Sequence, residues 1–317
     1  MEPLPTNVTV IDPVIIVGAT ASGKSALAML VADRFGGEIV NADSMQVYRR
    51  MDIGTAKPTK TEMEQIPHHL FDIVSPDVNF TAAAYSERAR ATIFEISSRG
   101  KLPVVVGGTG LYIRALFSGL VESPEGDASL REEYSRFAHV NGNAALHRLL
   151  QGFDPVAAEL IHPNNRVRVI RALEVFRLTG RSIVEMQQQH SFALKWCNYL
   201  KIGINVERNE LYKRINCRVD RMMEDGFVEE VRGLLSDGYL PELKAMSSIG
   251  YREICSFLAG ELDLPEVVRL IRRNTRHYAK RQITWFKGED DVIWFDDPVN
   301  SSELFNFIEK RVSKIEN

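Results

Sequence analysis

The chain reads as an α/β protein: a P-loop-type parallel sheet flanked by helices, with an inserted all-helical subdomain. Three observations lead there. Strand-like and helix-like segments alternate over the first third of the sequence, the order expected of a parallel sheet covered on both faces. Between the first such strand and the first helix stands "GATASGKS" (Gly18 to Ser25). It fits the G-x-x-x-x-G-K-[ST] phosphate-loop pattern, in the strand–turn–helix context that makes the pattern credible. After Gly119, helical periodicity continues to about Gln189 with no convincing strand.

The elements follow in order. "VIIVGAT" is a short continuous apolar run, a buried strand, and "KSALAMLVADRF" is a helix stopped by Gly36-Gly37. "EIVNADS" is a second strand, "YSERARATIFEISSRG" a helix and "LPVVVGG" a third strand. Ligands of such sheets sit at the carboxyl ends of the strands. The loop Gly18–Ser25, Asp43 and Thr109 are therefore expected along one edge. "VESPEGDASLREEY" is a polar connector, followed by helices at "SLREEYSRFAHV", "NAALHRLLQG", "DPVAAELI" and "RVRVIRALEVFRLTG". Strand character returns at "YLKIGINV" (Tyr199 to Val206) and "DVIWF" (Asp291 to Phe295). The expected organisation is a core of residues 1–120 and 198–317, with C-terminal helices packed on it, and a helical insertion at 121–197.

An apolar fraction of 44% with 26% charged residues is that of a soluble globular protein. No run of about 18 apolar residues exists, so no transmembrane helix and no membrane partner are expected. "MEPLPTNVTVIDP" lacks the basic and apolar blocks of a secretion signal. The three cysteines are far apart and form no CxxC pair, which fits a reducing, cytoplasmic setting without structural zinc. Nothing demands a dimer, so a monomer is expected.

The net charge is −3, but its distribution is uneven. "EVVRLIRRNTRHYAKRQITWFK" (Glu266 to Lys287) holds Arg269, Arg273, Arg276 and Lys280 at helical three- and four-residue steps. "NNRVRVIRALEVFRLTGR" adds Arg166, Arg168, Arg171, Arg177 and Arg181 against one Glu. Each is readable as a solvated helix face; together they point to a polyanionic partner.

The phosphate loop would cradle phosphate oxygens with the backbone N–H groups of Gly18, Ala19, Thr20, Ala21, Ser22 and Gly23 and with the helix N-terminus. Lys24 adds a point charge, and the Ser25 hydroxyl can ligate Mg²⁺. Asp43 either caps the turn after the second strand or presents a carboxylate at the phosphate site, as metal ligand or general base. Thr109 either closes the turn of Gly107, Gly108 and Gly110 or bonds a reacting group while the glycines admit a ligand close to the backbone. His68-His69 is not expected to hold a metal, because chain neighbours rarely converge on one ion.

A nucleotide hydrolase usually ends its next apolar strand in a magnesium-holding acid; here that strand ends in glycines and a threonine. The blocks "NADSMQVYRRMDIGTAKP", "PHHLFDIVSP", "VVVGGTGLYI", "HPNNRVRVIRALEV", "SSIGYREI" and "AKRQITWFKG" follow the loop in order. With them the sequence resembles the tRNA dimethylallyltransferase (isopentenyltransferase) family, bacterial type, without the zinc-finger extension of eukaryotic members. "MDIGTAKP", "GGTGLY" and "KRQITW" are the specific blocks. The resemblance implies transfer of the dimethylallyl group of dimethylallyl diphosphate to the exocyclic amine of the adenosine 3′-adjacent to the anticodon.

It also implies roles. Lys24, Ser25 and Mg²⁺ would stabilise the leaving diphosphate. Asp43 would accept the amine proton, and Thr109 would bond near the reacting centre. tRNA contacts, made to the anticodon stem-loop, fall on Asp43, Ser44, Met45 and Gln46, on Thr109, on Arg131, on Val167, Arg168 and Arg171, on Gly250, Tyr251 and Arg252, and on Lys280, Arg281 and Gln282. Gln282 would read a base edge and Trp285 could stack, although plain core packing is the favoured reading for Trp285 and Phe286. Ala19, Ser25, Asn165 and His277 stand where the family commonly has proline, threonine, aspartate and glutamine. A nucleotide or small-molecule kinase, an adenylate isopentenyltransferase and a non-catalytic RNA-binding module are the alternatives.

Overall fold

The computed structural model describes residues 11–120, 124, 126–190, 196–296 and 301–312. Six parallel strands form one sheet: β1 (Val14–Gly18), β2 (Gly37–Asn41), β3 (His68–His69), β4 (Leu102–Gly107), β5 (Leu200–Asn205) and β6 (Ile293–Asp296), in the order β3-β2-β4-β1-β5-β6. All residues of β1, β2 and β4 are buried. Successive side chains alternate between two cores, as the pleat requires. Ile15, Val17, Val40 and Val105 enter one; Val14, Ile16, Ile39, Val104 and Ile202 enter the other. The register pairs Val17 with Gly107 and Asn41 with Val106. The carboxyl ends of β1, β2 and β4 are thereby level, and the residues just beyond them share one edge.

The chain separates into two compact units, Met1–Phe117 with Trp196–Asn317, and Ser118–Lys195. The first contains the sheet and α1 (Lys24–Phe35), α2 (Lys60–Gln65), α3 (Ala82–Ser98) and α4 (Gly110–Ser118). The second is helical over its described residues, with α5 (Ala128–Asn141), α6 (Asn143–Phe153), α7 (Pro155–Leu160), α8 (Arg166–Thr179) and α9 (Ile183–His190). The first unit resumes with α10 (Arg208–Glu224), α11 (Phe227–Ser236), α12 (Tyr251–Leu258), α13 (Leu264–Lys287) and α14 (Ser302–Val312).

Local chemistry sets the boundaries that matter. Gly36 ends α1 in the left-handed conformation (φ 63°), its N–H bonded to the Ala32 carbonyl. Asp263 caps α13, accepting the Glu266 N–H at 2.9 Å, with Pro265 in the first turn. The 24-residue α13 then buries Val267, Ile271, Ala279, Gln282 and Phe286 along one stripe. The short edge strand β3 was not expected from sequence. It pairs two residues with Ile39 and Val40, too short a run to show alternation. His69 binds Glu38 at 2.6 Å while His68 faces the Ile66 carbonyl, so the two rings share no ligand.

In the helical unit, Tyr134, Leu146, Leu150, Ala157, Val169 and Leu173 make the core. Beside them Glu174, fully buried, accepts the Asp127 N–H at 2.7 Å and binds Arg131 at 2.8 Å and Arg171. Two arginines expected at RNA thus neutralise a buried carboxylate of their own unit. Val167 and Arg168 are exposed, and Asn165 caps α8 through the Arg168 N–H. None of the described helices is long and apolar enough to cross a membrane.

Candidate active site

The segment between β1 and α1 is built to receive an anion. No side chain caps the start of α1, and no acidic residue stands in its first turn. Its leading N–H groups are therefore left for another acceptor. Ala21 is held at φ 63°, a left-handed conformation unusual for a residue with a side chain. Ser22 Oγ is buried with no hydrogen-bond partner among the described residues. Lys24 Nζ donates to the Ala19 carbonyl at 3.2 Å. Burial pushes its ammonium down to about 8; the charge of Asp43 opposes that shift and that of Arg218 adds to it. The Ser22 N–H is bonded to the Ala19 carbonyl at 3.2 Å and the Thr20 N–H is also held within the protein, which leaves the Ser22 hydroxyl, the opening N–H groups of α1 and the desolvated Lys24 ammonium to meet an anion.

Asp43 stands just past β2. Its backbone N–H bonds Asn41 Oδ1 at 2.8 Å, and its own Oδ1 accepts the Met45 N–H at 2.9 Å. The capping role exists, then, but a carboxylate has lone pairs to spare after one such bond. Thr109 Oγ1 accepts the Ser44 N–H at 3.0 Å and lies 3.3 Å from Ser44 Oγ. The Tyr278 hydroxyl of α13 stands near Thr109 and Gln282; burial first, then the Asp43 charge, raises its pKa. Tyr278 is thus a neutral phenol beside the carboxylate.

The glycines after β4 serve a purpose not foreseen. A Cβ on Gly108 would stand 2.0 Å from Gln282 Nε2, and one on Gly110 would stand 2.1 Å from Trp285 Nε1. These residues admit α13 rather than a ligand. Gln282, 4% exposed, donates to the Gly108 carbonyl at 2.9 Å and accepts the Thr20 N–H at 2.8 Å. It ties the phosphate loop to the β4 turn, and the expected contact with a base edge finds no support in that arrangement. Trp285 packs on the core, bonds Glu289 at 3.1 Å and lies under the Arg114 guanidinium. Phe286 is fully buried. Both follow the packing reading.

Three cavities meet at this edge. The largest, about 870 Å³, is bounded by Lys24, Ser25, Lys57, Arg214, Arg218 and Arg221. A second, about 310 Å³, is walled by Asp43, Arg218, Met222, Phe227, Tyr251 and Tyr278. A third, about 130 Å³, joins Lys24 and Ser25 to Asp43, Gln46 and Arg218. Arg218 borders all three. The sequence reading missed it, and Tyr278 with it. Its only sequence signal is the apolar spacing Leu211, Ile215, Val219, which buries that stripe of α10 and sets residue 218 beside it.

The remaining expected contacts divide. Ser44, Met45, Arg252 and Arg281 border the 310 Å³ cavity, and Lys280 is exposed. Gly250 and Tyr251, largely buried, border the same cavity. Gln46 uses its amide on the carbonyls of Thr55 (3.1 Å) and Ala56 (3.0 Å). No group of three or more His, Cys, Asp or Glu that could hold a metal exists among the described residues. The donor that the loop itself offers a Mg²⁺ ion is the Ser25 hydroxyl, beside the phosphate cradle.

The arginines of α10 would suit a kinase as well as a transferase, and comparison with known proteins separates the two. The family model described as IPP transferase matches residues 46–289. A protein of Geobacter metallireducens named tRNA dimethylallyltransferase is 60% identical over 285 residues, 90% of this chain and 92% of that one. The full-length tRNA isopentenylpyrophosphate transferase of Bacillus halodurans superposes with a TM-score of 0.71 at 41% identity, covering 96% of this chain and 99% of that. A eukaryotic dimethylallyltransferase acting on tRNA gives 0.78 at 28% identity, covering 96% and 80%.

Proposed function

The chain belongs to the IPP transferase family, and we propose that it transfers the dimethylallyl group of dimethylallyl diphosphate to the exocyclic amine of the adenosine 3′-adjacent to the tRNA anticodon. One observation carries this reading. Asp43 borders two cavities, one shared with Lys24 and Ser25 and one walled by Tyr251, Tyr278 and Phe227. A leaving diphosphate and a flipped nucleobase can therefore meet on either side of one carboxylate.

The adenine amine attacks the allylic carbon, a carbon–nitrogen bond forms, and the carbon–oxygen bond to diphosphate breaks. The amine proton passes to Asp43. Because the amine lone pair is delocalised into the ring, holding it in line and removing its proton matter more than nucleophilicity. Lys24, the α1 N-terminus and Arg218 stabilise the charge that grows on the departing diphosphate. Ser25 would hold Mg²⁺, which supplies further neutralisation of that charge. Thr109, braced by Ser44, bonds near the reacting centre. The 310 Å³ cavity takes the extruded base, which in a single-stranded loop leaves its stack at a cost of about a few kcal/mol.

Dimethylallyl diphosphate, Mg²⁺ and an unmodified anticodon stem-loop, with no ATP, should yield prenylated adenosine by nucleoside mass spectrometry. AMP offered in place of the stem-loop should be turned over poorly. Asp43→Ala should abolish transfer, a loss of about 10²–10⁴-fold, while stem-loop affinity stays within about tenfold. A strict need for ATP, or full transfer by Asp43→Ala, would sink the reading.

A further inference from the structure

The loop Asp52–Lys57 is the partition between the two larger cavities. Gly54 and Thr55 border the 310 Å³ cavity, and Asp52, Ile53, Ala56 and Lys57 border the 870 Å³ one. One side chain from α11 holds this partition. Glu230 Oε2 accepts the N–H groups of Asp52 (2.8 Å) and Ile53 (2.6 Å); Oε1 accepts those of Gly54 (3.2 Å) and the Tyr251 hydroxyl (2.6 Å). Three consecutive backbone donors and a phenol on one carboxylate make a clamp that an uncharged side chain cannot reproduce. From the other side the rings of Phe227 and Tyr251, 4.9 Å apart edge to face, close on Gly54 so tightly that a Cβ there would lie 2.2 Å from the Phe227 ring.

The clamped loop in turn holds Arg218. The Thr55 carbonyl accepts from Arg218 Nη2 at 3.3 Å and from Gln46 Nε2 at 3.1 Å. Arg218 is the side chain common to all three cavities. We propose that Glu230 is a positioning residue for diphosphate: by pinning Asp52–Gly54 it fixes the Thr55 carbonyl, and through it the Arg218 guanidinium, between the phosphate cradle and Asp43. Glu230 touches neither substrate; it acts only through the loop. The proposal rests on the reading that the cradle holds a diphosphate.

A double-variant cycle of Glu230→Gln and Arg218→Lys tests it, read twice: as kcat and KM for dimethylallyl transfer, and as Kd for inorganic pyrophosphate with Mg²⁺. Glu230→Gln should raise the pyrophosphate Kd about tenfold and lower kcat, with stem-loop affinity unchanged. In the Arg218→Lys background the same substitution should have little further effect, because residues acting through one another are not additive. Tyr251→Phe, which removes one of the four donors, should give a smaller loss of the same kind and serves if Glu230→Gln does not fold. Multiplying losses in the pyrophosphate cycle would overturn the proposal, as would a wild-type pyrophosphate Kd in Glu230→Gln and Tyr251→Phe alike. Wild-type protein that binds pyrophosphate with this coupling but transfers nothing would overturn the functional reading alone.

Discussion

Lys24 and Asp43 share one edge of the sheet, and burial makes the Lys24 ammonium sensitive to pH. Burial draws the Lys24 ammonium down to about 8, and only its protonated form attracts diphosphate. Affinity for dimethylallyl diphosphate should thus be level from about pH 7, where the diphosphate is fully ionised, to about pH 8 and fall above it, approaching tenfold per pH unit. Titration calorimetry in the free enzyme checks this. Lys24→Met should bind weakly at every pH and flatten the profile; an unchanged break in Lys24→Met would assign the titration elsewhere. Both residues were legible in sequence, because each sits in a block whose residue types have a local chemical reason. Arg218, Tyr278 and Glu230 were not. Their roles exist only once α10, α13 and α11 have packed, and an arginine, a tyrosine or a glutamate on a helix has an ordinary solvated reading until then.

At the scale of elements, the long strands and helices were readable from period and caps, as "VIIVG", "KSALAMLVADRF" and the 24-residue α13 show. What sequence could not supply was how closely α13 approaches the β4 turn. Gly110 allows it, since any Cβ would meet the Trp285 indole. Gly110→Ala should destabilise the protein by about 1–3 kcal/mol, the range for overpacking a filled site. It should also reduce transfer, because α13 carries Tyr278 and Arg281 into the cavity wall. Pairing it with Trp285→Leu should recover part of the stability, measured by urea unfolding, since the two changes share one contact. Full additivity would show that the glycine answers to something other than α13.

Over the whole molecule the basic stretches were half legible. Their charge is real, but much of it already has an acidic partner in the chain: Arg131 and Arg171 on buried Glu174, and, nearer the surface, Arg272 on Asp220 and Arg269 on Glu266. Burial and pairing cannot be counted from composition. Arg168, Lys280 and Arg281 are exposed and are among those left to meet phosphate. Stem-loop affinity should therefore weaken steeply with salt, and Lys280→Ala and Arg281→Ala should each reduce the log–log slope by about 1. Arg171→Ala should instead lower thermal stability, since it strips a partner from a buried carboxylate.

The central claim is that one carboxylate stands between a phosphate cradle and a base pocket. A crystal structure with a non-reactive thio analogue of dimethylallyl diphosphate tests it most directly. The account predicts the diphosphate against Lys24, Ser25 and the start of α1, with the allylic carbon facing Asp43. A diphosphate seated away from Lys24, or an allyl group directed away from Asp43, would contradict it.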